Sequence, residues 1–267
     1  SFEGAAERCD NKDNDCDADV DEDFDVTSDP GNCGACGVAC EFANAEPGCG
    51  ESTCFIAACL PGFYDLDGRA DNGCEYACVD EDFAVDDVPD PSYRDTNCDG
   101  IDGDPQFAVF VAPTGDDTAP GTQTRPLRTI QRGIQLAAED PFRNAVYVAQ
   151  GVYRGAPLDD GTFAPITLVE GVSVYGGYEV GTWRRSPGNV TRIDSASPAV
   201  LAEGIVQPTE FGGFQVAGAD GRTLPGGSGG HSIGMLVRGS PGLTISSADI
   251  LSGTGGHRLV APVLQQF

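Results

Sequence analysis

Cysteine is missing from the chain beyond residue 98, although eleven cysteines stand before that point. Lysine is almost absent: Lys12 is the sole example, and the remaining positive charges are arginines. Fifteen basic residues face 42 acidic ones, for a formal charge of −27. An acidic excess of this size excludes polyanionic partners, both nucleic acid and anionic membrane surfaces. It suits a protein that holds cations. No run is apolar enough to span a membrane, and no signal peptide is visible. No glycine-rich phosphate loop, nucleophile elbow or H-E-x-x-H pattern is present.

The cysteine boundary divides the chain into two physically different regions, read as residues 1–105 and 106–267. The first is rich in Asp, Asn, Gly and Cys and has few periodic apolar segments, so it cannot bury a large core. Small domains of this kind are held by cross-links and bound metal. Dense cysteine in a loop-rich segment reads as a disulfide framework formed in an oxidising compartment. That places the protein outside the cell, with a leader expected to have been removed before Ser1. Zinc through Cys33-x-x-Cys36 is the alternative, but a second, similarly spaced pair is lacking. The odd cysteine count leaves one thiol free or paired outside this chain.

Carboxylates in the first region fall into three clusters. From Asp13 they alternate: Asp13, Asp15, Asp17, Asp19 and Asp21, followed by Glu22. Calcium takes six to eight hard oxygens, and alternate spacing lets a tightly curled loop aim them inward. Val20 stands where calcium loops commonly bury an apolar side chain. Ala18 replaces the glycine of an EF-hand loop and Phe24 its bidentate glutamate, so Glu22 or Asp23 has to close the shell. A second cluster offers Asp65, Asp67, Asp71, Asn72 and Glu75. A third offers Asp95, Asn97, Asp99, Asp102 and Asp104. Several Ca2+ ions are therefore expected as cofactors.

The stretch "CDNKDNDCDADVDE", Cys9 to Glu22, resembles the metal-binding motif named after MopE, a surface protein of methane-oxidising bacteria. "NCGACGVAC" and "DNGCEYAC" resemble Cys-rich modules of myxobacterial surface proteins. The motif's label mentions copper, which this chain supports poorly: His231, His257 and Met235 are far from the motif, and carboxylates suit calcium. In this picture Cys9 bonds to Cys16 and pins the first loop. Cys78 and Cys98 bracket the third site in the same way, and the other seven cysteines stay unassigned.

The second region opens with a strand, "QFAVFVAP". "RPLRTIQRGIQLAAED" then reads as an amphipathic helix over about 126–139, with Pro126 in the first turn. Leu127, Ile130, Ile134 and Ala137/Ala138 would line one face. Short apolar segments follow, among them "NAVYVAQGVY", "APITLVEGVSVYGGY", "VTRID", "GIVQ", "FGGFQVAG", "SIGMLVRG", "GLTISSADILSG" and "LVAPVLQQF". They fit a β-sandwich or a parallel solenoid. The solenoid is favoured by a spacing of about 20–30 residues per rung and by the lack of tight hairpin signals. It is favoured too by a single helix placed to cap an exposed first rung. Six or seven rungs are expected, with Gly218 to Ser232 as a protruding loop.

"VFVAPTGDDTAPGTQTRPLRTIQRGIQLA", with "VYVAQGVY" and "VSVYGGY" downstream, resembles the start of pectin-lyase-like right-handed β-helix domains. The resemblance implies a mainly β fold: a short right-handed parallel β-helix with an N-terminal capping helix, preceded by the disulfide-rich calcium module. It implies fold and not chemistry. The acids of the second region are scattered, and Arg154, Arg184, Arg185 and Arg192 read as surface charges. No enzyme is expected. The expectation is a secreted, calcium-stabilised structural protein of the cell surface or an extracellular filament. Its partners would be further copies of itself, stacked head to tail at an uncapped C-terminal end, or other surface proteins. A carbohydrate-binding or polysaccharide-cleaving β-helix protein is the alternative, and a calcium-dependent adhesin segment is a third.

Overall fold

The computed structural model describes residues 6–15, 17–79, 87–221 and 231–253. The chain forms two compact units: Ser1–Phe83 with Thr96–Asp99, and Ala84–Asp95 with Gly100–Phe267. Residues 87–95 and 100–105, which the sequence groups with the cysteine-rich region, therefore pack within the second unit.

Cross-links replace an apolar core in the first unit. The disulfides are Cys9–Cys36, Cys33–Cys49, Cys40–Cys54, Cys59–Cys74 and Cys78–Cys98. Cys33, Cys40 and Cys49 are themselves the buried cluster, with Phe42 and Cys54 against it. The expected Cys78–Cys98 bond is present. The expected Cys9–Cys16 bond is not formed: Cys9 lies against Gly37 and bonds to Cys36, while Cys16 lies outside the described residues. Zinc at Cys33 and Cys36 is excluded by the same pairing, since both sulfurs are in disulfides.

Two short antiparallel pairs complete this unit. β1 (Ala45–Gly50) pairs with β2 (Thr53–Cys59), and β3 (Phe63–Tyr64) pairs with β4 (Tyr76–Ala77). The β1–β2 turn has Glu51 and Ser52 at φ 49° and 62°. Asn-Gly would have advertised such a hairpin, and its absence hid this one in the sequence.

The second unit is built from parallel strands. β5 (Ala108–Val111) precedes α1 (Ile130–Glu139). Then come β6 (Ala145–Ala149), β7 (Gly151–Tyr153), β8 (Ile166–Thr167), β9 (Ser173–Tyr178), β10 (Thr191–Asp194) and β11 (Val200–Glu203). β12 (Thr209–Gly212), β13 (Phe214–Ala217), β14 (Met235–Arg238), β15 (Leu243–Ser246) and β16 (Asp249–Leu251) complete it. Among the described residues three sheets form, ordered β5-β6-β9-β12-β15, β7-β10-β13-β16 and β8-β11-β14. From β6 onward the chain visits them in strict rotation. Every pair between these strands is parallel, which sets aside the antiparallel sandwich.

The inward residues of all three sheets share one apolar cluster, as strands of buried parallel sheets do. Val146, Val174 and Phe211 come from the first sheet, Tyr153, Ile193 and Val216 from the second, and Ile166, Val200 and Ala202 from the third. Ala145 pairs with Ser173, Val174 with Phe211 and Thr209 with Leu243. The first circuit thus falls within the expected 20–30 residues and the next two exceed it. Longer circuits mean fewer of them: the described residues complete three circuits and two strands of a fourth, not six or seven. "GIVQ" is no strand. Ile205 is buried in the cluster, but the N–H groups of Val206 and Gln207 donate to Glu170 Oε1 (2.8 and 2.7 Å) instead of to a neighbouring strand. Most of the Gly-rich stretch and all of "LVAPVLQQF" lie outside the described residues.

The corner between β12 and β13 stacks on β9 through two glycines. A Cβ at Gly176 would stand 2.5 Å from the carbonyl oxygen of Gly213, and one at Gly213 would stand 2.6 Å from that of Gly176. The two glycines stack, and neither has room for a side chain.

The helix starts later than its sequence pattern, at Ile130. Thr129 is the N-cap, its hydroxyl accepting from the Arg132 N–H, and Asp117 accepts from the N–H groups of Arg128 and Thr129 (2.9 Å each). Leu127 is buried as a bridge partner of Val111 and not as a helical residue. Ala137 is buried and Ala138 exposed. α1 packs on β5, β6 and β8, with Gly133 fitted closely against Val111 and Val146. Gln131 closes the free edge of β8: Thr167 N–H donates to its Oε1 (2.8 Å), and its Nε2 donates to the Thr167 carbonyl (3.4 Å). A side-chain amide thus stands in for a neighbouring strand and blunts an edge that would otherwise invite pairing.

Candidate metal centre

Glu7 organises the first acidic loop. It is only 6% exposed. Its Oε1 accepts from the N–H groups of Asn14 (2.7 Å) and Asp15 (2.8 Å), and its Oε2 from that of Asp21 (3.3 Å). Wrapped around this carboxylate, the loop gathers two overlapping groups that share Asp15. One is Glu7, Asp15 and Glu22; the other is Asp13, Asp15 and Asp17. Within each, the ligand atoms lie within 4.8 Å of one another. Ala18 has φ 86°, so it adopts the left-handed conformation for which an EF-hand loop uses glycine. Asp19 belongs to neither group. Asp21 instead accepts from the N–H groups of Asp10 and Asn11 (3.2 Å each). Val20 is 52% exposed, not buried, because the loop closes over Glu7 and leaves no apolar wall for it.

Crowding raises two of these acids. Desolvation, then the Asp17, Glu7 and Asp13 carboxylates, push Asp15 above the usual carboxylate range, against a backbone hydrogen bond from Asp17. Glu22 is also raised. A backbone hydrogen bond opposes the rise, but desolvation and the charges of Asp17, Glu7 and Asp15 outweigh it. A cation placed among them would relieve this repulsion. Among the described residues the donor set is oxygen alone, with no imidazole or free thiolate, which fits a hard ion such as calcium.

The second cluster is partly gathered. Asp65, Asp67 and Glu75 converge. Asn72 Nδ2 donates to Asp67 Oδ2 (3.2 Å). Asp71 turns away to a two-point pair with Arg69 (3.0 and 2.7 Å), and this guanidinium holds its carboxyl below the usual range. No group of three carboxylates forms at the third cluster among the described residues. Asn97 and Asp99 bond to each other (3.1 Å), and Asp95 Oδ2 accepts from the Gly100 N–H (2.6 Å). Asp104 caps the short 3-10 turn Pro105–Phe107.

Asp102 is drawn into the second unit. Its carboxylate meets Arg185 Nη1 at 2.8 Å, with the two side chains 2% and 1% exposed. Arg185, expected at the surface, also donates to the carbonyls of Gly176 and Asp90 (2.8 Å each) and lies over the Tyr93 ring. Burial pushes the Asp102 carboxyl up to about 6, and the Arg185 charge opposes the rise. Tyr178 OH donates to the Asp102 carbonyl (2.7 Å). Nothing in "WRRS" distinguishes Arg185 from its neighbour Arg184. Glu7 was equally hidden, since it precedes the alternating pattern.

A family described as proteins of unknown function, DUF1565, matches residues 113–195. It is associated with pectin-lyase-like β-helix proteins. No curated protein and no solved structure matches the chain. Five disulfides fit an oxidising extracellular environment. Among the described residues no helix is long and apolar enough to cross a membrane.

Proposed function

We propose that this is a calcium-stabilised structural protein of the cell surface or of an extracellular filament, with its second unit a short right-handed β-helix. The gathering of Glu7, Asp13, Asp15, Asp17 and Glu22 carries the reading. Five carboxylates at such close range destabilise a core-poor, cross-linked unit until a cation neutralises them. Calcium is then a folding element and not a reagent, and the resemblance to the MopE-type motif supports metal binding by this loop without choosing calcium. The rotation of the chain through three parallel sheets supports the β-helix. β14, β15 and β16 are the last described strands of their sheets. Among the described residues each ends its sheet, at an edge that a strand of another copy or of another surface protein would extend. A contact of this kind repeated without closure makes a filament.

Two measurements test this. Elemental analysis and calcium titration of the purified protein should find bound calcium, and a chelator should lower the melting temperature. No metal and no shift would sink the calcium role. Electron microscopy of native material should show ordered polymers, whereas a uniformly monomeric preparation would remove assembly from the reading.

A further inference from the structure

Arg185 leaves one donor group unused. Its side chain is 1% exposed. Nε donates to the Gly176 carbonyl and Nη1 to Asp90 and Asp102, but Nη2 has no hydrogen-bond partner among the described residues. A buried N–H group without an acceptor is rare and calls for a water or a ligand. Nη2 lies beside Gly213, where a Cβ would stand 3.1 Å from it. Gly213 is also a wall of a cleft of about 160 Å³. Two more of its walls, Tyr93 and Gly177, lie against the same side chain: the Tyr93 ring is 4.8 Å from the guanidinium, and a Cβ at Gly177 would stand 3.6 Å from Arg185 Cγ. The lining residues all belong to the second unit, so the cleft is separate from the acidic loops.

Two residues of the cleft hold a left-handed backbone without being glycine: Tyr93 at φ 59° and Ser247 at φ 46°. Ser247 stands one rung beyond Gly213, since Gly212 pairs with Ser246. Such conformations persist only where the surroundings enforce them, and they cluster at ligand sites. The chemistry of the walls selects the ligand. Among the described residues Asp249 is the only charged one that lines the cleft, and no basic side chain pairs with it. It repels an anion. The Arg185 charge is already balanced by Asp102, so Nη2 is served by a neutral acceptor. A simple cation would suit Asp249 but offer Nη2 nothing. A hydroxyl donates and accepts at once, so a molecule carrying several satisfies both. Asn189 and Gln215 add amides, and Asn189 Nδ2 is committed to the Arg184 carbonyl, which leaves its Oδ1 to accept. The half-buried Tyr93 adds an apolar ring. The volume lies below the range of drug-sized sites, so the cleft admits one ring and not a chain.

We propose that this cleft binds one ring of a neutral sugar. One hydroxyl oxygen accepts from Arg185 Nη2 through the gap that Gly213 leaves, another hydroxyl donates to Asp249, and the C–H face lies against Tyr93. The inference goes beyond the calcium role and does not depend on it.

Titration calorimetry on the full chain tests it, with the methyl glycosides of glucose, galactose and mannose as neutral probes and glucuronate, free alanine and butylammonium as charged ones. At least one methyl glycoside should bind, and at least about tenfold more tightly than any charged probe, the worth of one hydrogen bond to a charged group. Asp249→Ala, at an exposed position, should weaken that sugar about tenfold with an unchanged melting temperature. Gln215→Ala should weaken it too. Asp194→Ala, on the same sheet but outside the cleft, should leave it unchanged. None of the three glycosides binding would overturn the proposal. So would glucuronate, alanine or butylammonium binding as well as the best glycoside, or an Asp249→Ala variant indistinguishable from the parent.

Discussion

Replacing Arg185 with methionine should cost about 3–5 kcal/mol, the typical penalty for removing one partner of a buried ion pair. The structure gives the reason for a loss of that size. Asp102 would remain buried, with the Asp90 N–H at 3.3 Å still donating to it. The Gly176 and Asp90 carbonyls would each lose a 2.8 Å donor. Methionine fills much of the volume, so a cavity is a minor contribution. For a unit of this size the loss lowers the melting temperature by roughly 6–20 °C. Denaturant unfolding followed by Trp183 fluorescence reads the effect where it arises. Trp183 is the only tryptophan, 2% exposed, and packs edge-on against Phe110 in the adjoining cluster. The pH dependence has a definite sign. Asp102 has its folded-state pKa raised to about 6 from 3.8. It therefore contributes stability that is full below the unfolded value and is lost as pH rises through about 6. Without Arg185 its carboxyl rises further, because the opposing charge is gone. The deficit of Arg185→Met should therefore shrink between pH 8 and pH 5, as Asp102 becomes protonated in both proteins. A loss below about 1 kcal/mol at pH 8, the value of an exposed pair, or a deficit indifferent to pH, would refute the reasoning.

Other outcomes follow from the same geometry. Asp15 belongs to both carboxylate groups, so Asp15→Asn should abolish the response to chelator in a thermal melt, whereas Asp19→Asn should leave it intact. At a hundredfold excess over the dissociation constant, calcium should stabilise by about 2.7 kcal/mol per site, read as a shift in unfolding midpoint. Gln131→Leu should cost about 1–2 kcal/mol by uncovering the edge of β8, and faster exchange of the Thr167 amide would locate the loss there. Gly176→Ala and Gly213→Ala should each destabilise by about 1–3 kcal/mol through overpacking. Unchanged unfolding midpoints for both would show that the stacked backbones relax freely.

Much of the second unit was legible because parallel strands buried on both faces have to be apolar, and "AVFV", "AVYVA" and "SVYGGY" are. The helix was legible from the spacing of Ile130, Ile134 and Ala137, but its start was not. Leu127 has the right period and yet pairs with Val111, a contact that helical periodicity cannot distinguish from a first turn. Circuit length was misjudged because apolar segments such as "GIVQ" look like strands when their backbone groups go to a side chain, here Glu170. The first acidic loop was visible as alternating aspartates, while its organiser, Glu7, lies outside the alternation.

Composition and local pattern by themselves determined the division into a cross-linked acidic region and an apolar β-rich one. They also determined the oxygen-rich chemistry of the loops and the choice of β-strands over helices, because charge, cysteine density and short apolar runs between turn residues are local properties. Tertiary structure alone decided which carboxylates converge, which cysteines bond and which arginine is buried. Asp102 and Asp104 share the acidic stretch of Asp99, yet one is sealed against Arg185 and the other caps a short turn. Those outcomes depend on contacts between residues 83 positions apart, as with Asp102 and Arg185. No local signal distinguishes a carboxylate that will meet solvent from one that will meet a guanidinium.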